Sequence, residues 1–88
     1  MKRRGQGIGS LEPDAYHRAV YVVSAAAQMA GMHPQTLRQY DRLGLVSPRR
    51  ARGRGRRYSY SDVEKLRYIQ TLSQAGINLE GIRRILLL

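Results

Sequence analysis

Residues Gly31 to Leu45 read GMHPQTLRQYDRLGL, and the rest of the chain is organised around them. Pro34 suits the first position of a helix, because its fixed φ is helical and its missing N–H would have no partner there. Gly44 suits the left-handed residue that ends a helix. The pattern predicts a helix from about Pro34 to Leu43, which we call the reader helix.

The two faces of the reader helix differ in chemistry. At about 100° per residue, one face carries Gln35, Arg38, Gln39 and Arg42, and the opposite face carries Leu37, Tyr40 and Leu43. Arg and Gln side chains match the edges of guanine and adenine, and Arg also matches phosphate. On most surface helices a polar face of this kind is only solvated. Whether this face contacts bases therefore has to be judged from the rest of the chain.

The composition favours a small domain with a polyanionic partner. The chain has 88 residues and a formal net charge of +10, and a domain of this size buries only about 60% of the surface of its unfolded chain. Six arginines within residues 49–57 carry more than half of the excess charge. The sequence contains no cysteine and no stretch long enough to span a bilayer. We therefore expect a soluble cytoplasmic protein.

The segments before the reader helix predict an arm and a first helix. Residues 1–19 show neither helical nor strand periodicity, so we expect a flexible basic arm there. A β-branched run at 20–23 predicts a brief strand. Ser24 then fits an N-cap, and residues 25–30 fit a short helix closed by Gly31. Two short helices around a tight turn predict a helix-turn-helix, whose second helix enters the major groove of DNA.

Between the two helices, His33 precedes Pro34 and is interpreted as a turn or cap residue. Neither cysteine nor a nearby second histidine offers a metal site. We expect no metal and no cofactor.

The arginine-rich segment predicts an exposed hairpin, which we call the wing. Leu45 and Val46 predict a strand leaving the reader helix, and residues 49–57 then read RRARGRGRR. With Gly53 and Gly55 at the tip of an extended hairpin, alternate arginines share one face, namely Arg50, Arg52, Arg54 and Arg56. Beside a reader helix, this charge favours a wing that grips phosphates over a merely solvated basic loop. Tyr58 and Tyr60 are expected to point the same way, with one or both packing under the wing.

The C-terminal part predicts two further helices. Ser61 and Glu64 fit a capping box for a helix that ends near Ala75, and its buried stripe consists of Val63, Leu66, Ile69 and Leu72. Asn78 can cap a last helix, whose inward positions are Leu79, Ile82, Ile85 and Leu86. Three terminal leucines are too many for one stripe of a solvated helix, so we expect a partner chain or a further segment to cover them.

With these parts in order, the chain resembles the MerR family of bacterial transcription regulators over about residues 20–87. The resemblance rests on YVVSAAA at 21–27, LRQYDRLGLV at 37–46, GRRYS at 55–59, and Leu72 followed by GINLEGI at 76–82. It implies a mainly α winged helix-turn-helix domain from 20 to 88, which binds an inverted repeat of double-stranded DNA as a homodimer at the bacterial nucleoid.

Within the family, the stretches at 30–48 and 76–82 are similar to heat-shock repressors. This similarity implies repression of chaperone genes, with the chaperone DnaK as co-repressor. The family usually continues into a long dimerising helix and an effector-binding tail.

The resemblance and the residue chemistry together define an expected set of DNA-binding residues. By position, the reader-helix contacts of the family fall on Gln35, Thr36, Arg38 and Gln39, with Tyr40 near the DNA backbone, and its wing contacts fall on Arg56, Arg57 and Tyr58. The full set is Ser24, Gln35, Thr36, Arg38, Gln39, Tyr40, Arg42, Arg50, Arg52, Arg54, Arg56, Arg57 and Tyr58.

Three other functions stay open beside the sequence-specific repressor. An architectural or recombination factor of the same fold would bind DNA with weak sequence preference. RNA binding through the arginine run ranks lower, because paired aromatics that stack bases on a sheet are missing from the pattern. An enzyme ranks last, because the acidic residues and the two histidines form no nucleophile-base pair.

Overall fold

A computed structural model describes residues 13–88, and this range holds five helices and one antiparallel sheet of two strands. The helices are α1 (Pro13–His17), α2 (Val23–Ala30), α3 (Pro34–Arg42), α4 (Tyr60–Gln74) and α5 (Leu79–Leu86), and the strands are β1 (Arg49–Ala51) and β2 (Gly55–Arg57). This order confirms the predicted winged helix-turn-helix, with α3 as the reader helix and β1 and β2 as the wing. The basic start of the predicted arm, residues 2–4, lies outside the described residues.

One apolar core positions the helices. The fully buried side chains of Leu37, Val63, Leu66, Ile69 and Ile82 come from α3, α4 and α5. Burial of each such side chain contributes about 1.5–3 kcal/mol. The buried residues of α2 are all alanines, and these small side chains let α2 lie close to α4. The stripe predicted for α4 is confirmed as core at Val63, Leu66 and Ile69, and Leu72 packs against that core partly buried.

Local chemistry holds both ends of the reader helix. The backbone N–H of Gln35 donates to Nδ1 of His33 over 3.1 Å, which confirms the cap role of His33. Gly44 has a φ of 73°, the left-handed conformation predicted for the helix stop. The guanidinium of Arg83 in α5 also donates to the carbonyl oxygen of Leu43. The core face and both ends thus fix how the reader helix is presented.

The wing is shorter than the sequence predicts. Its register pairs Arg49 with Arg57, Arg50 with Arg56 and Ala51 with Gly55. Gly53 and Gly55 both have positive φ, as predicted for the tip. Arg50 and Arg56 share a face because they lie directly opposite, whereas Arg52 and Arg54 lie in the turn. The prediction of one face with four arginines is wrong for those two, since each strand has only three residues.

The capping box of α4 lies two residues earlier than predicted. The hydroxyl of Ser59 accepts from the backbone N–H of Asp62 over 3.0 Å, and the Asp62 carboxylate accepts from the backbone N–H of Ser59 over 2.9 Å. The prediction of Ser61 with Glu64 is wrong, because α4 already begins at Tyr60. Glu64 instead accepts a hydrogen bond from the Tyr16 hydroxyl.

The strands predicted on either side of the helix-turn-helix are also wrong. Residues 20–23 supply only a single bridge between Tyr21 and Tyr58, and α2 already begins at Val23. Ser24 therefore lies inside α2, and the N-cap is Val22, which makes no side-chain capping bond. Residues 45–46 form a bend rather than a strand, and Val46 is buried in the core.

Two further differences involve the ends of the described range. Helix α1 was not expected within the arm; it packs on α4, where the ring of Tyr16 lies 5.9 Å from that of Tyr60. Leu79, predicted to point inward, is exposed. Asn78 caps α5 as predicted, because its side chain accepts from the backbone N–H of Gly81 over 2.9 Å.

Candidate nucleic-acid interface

The reader helix presents a polar face to solvent. Four of its polar side chains are exposed, Gln35, Arg38, Gln39 and Arg42, and Thr36 is half-buried. On the opposite face, Leu37 is fully buried and Tyr40 is 7% exposed. The predicted division of this helix into a core face and a polar face is confirmed.

Two of the exposed side chains are already coupled to each other. Arg38 Nη1 donates to Oε1 of Gln35 over 2.9 Å, across one turn of the helix. The bond restricts two long side chains that would otherwise lose rotamer freedom on binding. The pair offers a guanidinium fork and an amide, which are the groups that recognise guanine and adenine edges.

The outer part of the wing carries three exposed arginines, Arg50, Arg52 and Arg54. Within residues 13–88 their guanidinium groups form no hydrogen bond or ion pair with another part of the chain. An unpaired, solvated guanidinium can exchange water for a phosphate at little desolvation cost. These three side chains are therefore the ones available to a polyanion.

The inner arginines of the wing are engaged with the protein itself. Arg56 Nη1 lies 3.5 Å from Oδ2 of Asp41, and its Nη2 donates to the carbonyl oxygen of Pro48 over 3.2 Å. Arg57 is half-buried and donates to the carbonyl oxygen of Arg56 over 3.2 Å. The contact between Arg56 and Asp41 joins the wing to the reader helix.

Two tyrosines of the expected set lie in the core rather than on the surface. Tyr40 is buried, and Tyr58 is only 2% exposed. Burial raises the pKa of Tyr58 above its ordinary value, and the Asp41 carboxylate raises it further, whereas the positive charge of Arg56 opposes the shift. Both rings therefore belong to the core that positions the interface, and they do not lie on its surface. Ser24, also in the set, is exposed in the first turn of α2.

Three residues that position the interface were missed by sequence reasoning. Asp41 contacts the wing through Arg56, and Arg49 of β1 joins the wing to α1 by donating to the carbonyl oxygen of His17. Arg67 of α4 donates to the carbonyl oxygen of Met29 from Nη2 over 2.7 Å and from Nε over 3.2 Å. These bonds join α4 to the last turn of α2. Of these three residues, only Asp41 stands out in the sequence, because it is the single acidic residue between positions 21 and 57.

The described part of the chain offers little to other kinds of site. Among residues 13–88, no three His, Asp or Glu side chains lie together as a metal site would need. No helix in the same range is long and apolar enough to cross a membrane.

Comparison with known proteins agrees with this geometry. Residues 21–88 match the family model described as MerR HTH family regulatory protein. The chain is 71% identical over 68 residues to a protein of Streptomyces coelicolor assigned as heat shock protein HspR, which covers 76% of this chain and 45% of that protein. It is 34% identical over 68 residues to the transcriptional regulator ZntR of Escherichia coli, covering 76% and 48%.

A more distant relative and a solved structure extend the comparison. The transcriptional regulator GlnR of Bacillus anthracis is 30% identical over 78 residues, covering 89% of this chain and 60% of GlnR. The chain thus spans about half the length of the curated relatives it matches. The fold is similar to that of HiNmlR, a MerR family regulator lacking the sensor domain, in its crystal structure bound to promoter DNA. That comparison has a TM-score of 0.68 at 33% identity and covers 75% of this chain and 51% of HiNmlR. On these grounds the chain belongs to the MerR family of helix-turn-helix regulatory proteins.

Proposed function

We propose that this chain is the DNA-binding part of a transcriptional repressor of heat-shock and chaperone genes, and that its activity is binding rather than catalysis. The observation that carries the proposal is the exposed face of Gln35, Arg38, Gln39 and Arg42 beside a wing with unpaired arginines. The 3.5 Å contact between Arg56 and Asp41 places the two surfaces next to each other. A helix face of this chemistry reads bases, and the adjacent positive charge binds phosphates.

The two surfaces have different tasks in this proposal. The reader helix supplies sequence preference, because a good bidentate contact from Arg or Gln to a base discriminates by about 1–3 kcal/mol. The wing supplies affinity for any sequence, because its charge displaces counterions from the DNA backbone. HiNmlR, the structural relative, is described as bound to promoter DNA, which supports a DNA duplex as the partner.

One relative supports the proposed target genes, and one geometric argument supports the proposed form of the binding site. The relative with 71% identity is assigned as a heat shock protein, which supports control of chaperone genes. One copy of the chain presents one reader helix. We therefore propose that the full-length regulator is a homodimer that binds two inverted half-sites about one helical turn, or a multiple, apart. Such a protein would reside at the bacterial nucleoid.

The first experiment is selection of bound duplexes from a random DNA pool, with the full-length regulator at roughly physiological salt, where weak charge contacts are screened. Enrichment of two inverted half-sites would support the proposal. The variants Gln35→Ala and Arg38→Ala should relax the preference at one or two positions of each half-site. Gln74→Ala is the matched control, since Gln74 is exposed on α4.

The contrary outcome would favour another member of the same fold. Tight binding without any enriched motif would identify an architectural or recombination factor, which the six arginines of the wing could serve without base contacts. Preference for single-stranded RNA over duplex DNA would contradict both.

The co-repressor is a separate part of the proposal. We propose the chaperone DnaK in this role, by analogy with the heat-shock repressors that the sequence resembles. Adding purified DnaK to the full-length regulator should tighten binding to the selected operator but not to an unrelated duplex. An unchanged dissociation constant on both duplexes would remove DnaK from the mechanism.

A further inference from the structure

The interactions between the two strands of the wing are not enough to stabilise this hairpin. Each strand has three residues, and two of the three cross-strand pairs place like charges opposite each other, Arg49 with Arg57 and Arg50 with Arg56. Directly opposed like charges destabilise a strand pair, and a hairpin of two strands is at best marginally stable alone. Contacts with the rest of the domain must therefore keep the wing in place.

Two of these contacts run through Arg56. Its guanidinium reaches both the Asp41 carboxylate at 3.5 Å and the Pro48 carbonyl oxygen at 3.2 Å. The Asp41 side chain is 28% exposed and the Arg56 side chain 55% exposed, so the pair is only partly screened by water. Because Arg50 lies opposite Arg56 in the register, the carboxylate also offsets the repulsion between these two arginines.

Apart from its contact with Arg56, the carboxylate of Asp41 is electrostatically unfavourable in two ways. It lies in the last turn of the reader helix, where a negative charge is unfavourable to the helix dipole. It is also the single acidic residue between positions 21 and 57, in a region that faces a polyanion in the proposed function. On charge alone, an acidic residue here should weaken DNA binding.

We propose that Asp41 is a positioning residue for the wing: its carboxylate fixes Arg56, and with it β2, against the end of the reader helix. The inference rests on the proposed DNA binding and refines it. Arg56 then serves as an anchor rather than as a phosphate ligand. Arg49 anchors β1 similarly, through the carbonyl oxygen of His17, and the phosphate contacts fall to Arg50, Arg52 and Arg54.

The direction in which one substitution changes the affinity for DNA distinguishes a positioning role of Asp41 from a simple charge effect. Asp41→Asn removes a negative charge, so electrostatics alone predicts tighter binding to any duplex. If the carboxylate holds the wing, the same change loosens the wing and weakens binding to the operator. A partly exposed ion pair of this kind corresponds to about a two- to fivefold loss of affinity.

The experiment measures fluorescence anisotropy of the full-length regulator with the selected operator and with an unrelated duplex. Glu80→Gln is the matched control, because it also removes one carboxylate from an exposed pair, with Arg84 on α5. We expect Asp41→Asn to weaken operator binding and Glu80→Gln to leave it unchanged or slightly tighter. Equal or tighter operator binding by Asp41→Asn would overturn the inference.

A second pair of variants tests whether Arg56 acts through Asp41. Arg56→Lys keeps the positive charge but loses the planar fork that reaches two acceptors at once. It should weaken operator binding in the original chain and weaken it less together with Asp41→Asn, where only the contact with Pro48 is left to lose. Arg54→Lys, the control at an unpaired wing arginine, should have the same effect in both backgrounds. Independent, additive losses for Arg56→Lys would show that Arg56 contacts phosphate itself.

A measurement without DNA keeps the inference separate from the proposed function. In the wing turn, the backbone N–H of Arg54 donates to the carbonyl oxygen of Ala51 over 2.9 Å. Asp41→Asn should speed hydrogen exchange at this amide, while the amide of Ile69 in the core of α4 keeps its protection and reports an intact fold. Unchanged exchange at Arg54 would refute the anchor even if the protein binds its operator. A regulator with no preferred duplex, in contrast, would refute the proposed function alone.

Discussion

Removing the three unpaired wing arginines should change the salt dependence of DNA binding more than its sequence preference. Arg50, Arg52 and Arg54 are exposed, and their guanidinium groups have no partner within the described part of the chain. Each phosphate that an arginine neutralises contributes about 0.9 to the slope of log K against log salt concentration. Replacement of all three by Gln should therefore reduce that slope by about 2.7 for each bound chain.

This change is large enough to measure by simple titration. Between about 50 mM and about 200 mM salt, this difference in slope makes the loss of affinity about 40-fold smaller for each bound chain of the triple variant than for each chain of the original protein. The assay is fluorescence anisotropy of the full-length regulator at several salt concentrations, on the selected operator and on an unrelated duplex. The slope should decrease on both duplexes, because phosphates carry no sequence information.

The matched control is Arg84→Gln, which removes an exposed arginine that pairs with Glu80 on α5. Its slope should equal that of the original chain. If the triple variant kept the original slope, these arginines would not contact phosphates, and the assignment of the wing would be wrong. A change in slope on the operator alone would instead assign them to base recognition.

Three further predictions concern the support of the interface. Ser59→Ala should lower the free energy of unfolding by about 1–2 kcal/mol, because the buried hydroxyl caps α4, whereas Ser61→Ala should cost about 0.5 kcal/mol or less; equal losses in urea titrations would contradict the observed capping box. Leu37→Ala should cost about 2–5 kcal/mol, since the side chain is fully buried, and a loss below about 1 kcal/mol in the same titration would show that the reader helix does not rest on it. Burial raises the pKa of Tyr58 above 10.0, so the folded state favours the neutral phenol, and the resulting stability is complete below that pH and is lost as the pH rises past it. Tyr58→Phe should therefore reduce the fall in unfolding free energy between about pH 8 and about pH 11, and an unchanged fall would place the alkaline sensitivity elsewhere.

The rigidity of the reader helix has a functional consequence in this fold. Its start is capped by His33, the carbonyl oxygen of its C-cap residue Leu43 accepts from Arg83, and its inner face is buried through Leu37 and Tyr40. Side chains on such a helix enter a groove with little loss of backbone freedom, because that freedom was already lost on folding. The wing is held by fewer contacts, so we expect most of the adjustment on DNA binding to occur there.

Much of the candidate site could be predicted from the sequence because its signals are local. Pro34 and Gly44 limit the reader helix through their own backbone preferences, and the alternation of Leu37 and Tyr40 with Arg and Gln residues separates its two faces. Gly53 and Gly55 likewise predict the tip of the wing. The six arginines predict that the wing is exposed, since so many charges cannot be buried together.

The wrong prediction of the capping box arose because two local patterns compete. Ser59 with Asp62 and Ser61 with Glu64 both fit a capping box, and the sequence gives no reason to choose between them. The choice depends on Tyr58, which bridges Tyr21 and is buried in the core, so that the chain is placed to begin α4 immediately afterwards.

Local signals along the chain were sufficient for the helix-turn-helix, the polar face of the reader helix and the charge of the wing, because helix limits, periodicity and charge depend on neighbouring residues. Three features became visible only in the folded domain: α1 packs on α4, Tyr40 and Tyr58 support the site from the core, and Asp41 contacts Arg56. Those features join residues far apart along the chain, and their distances are set by the packing of the whole core rather than by any local preference.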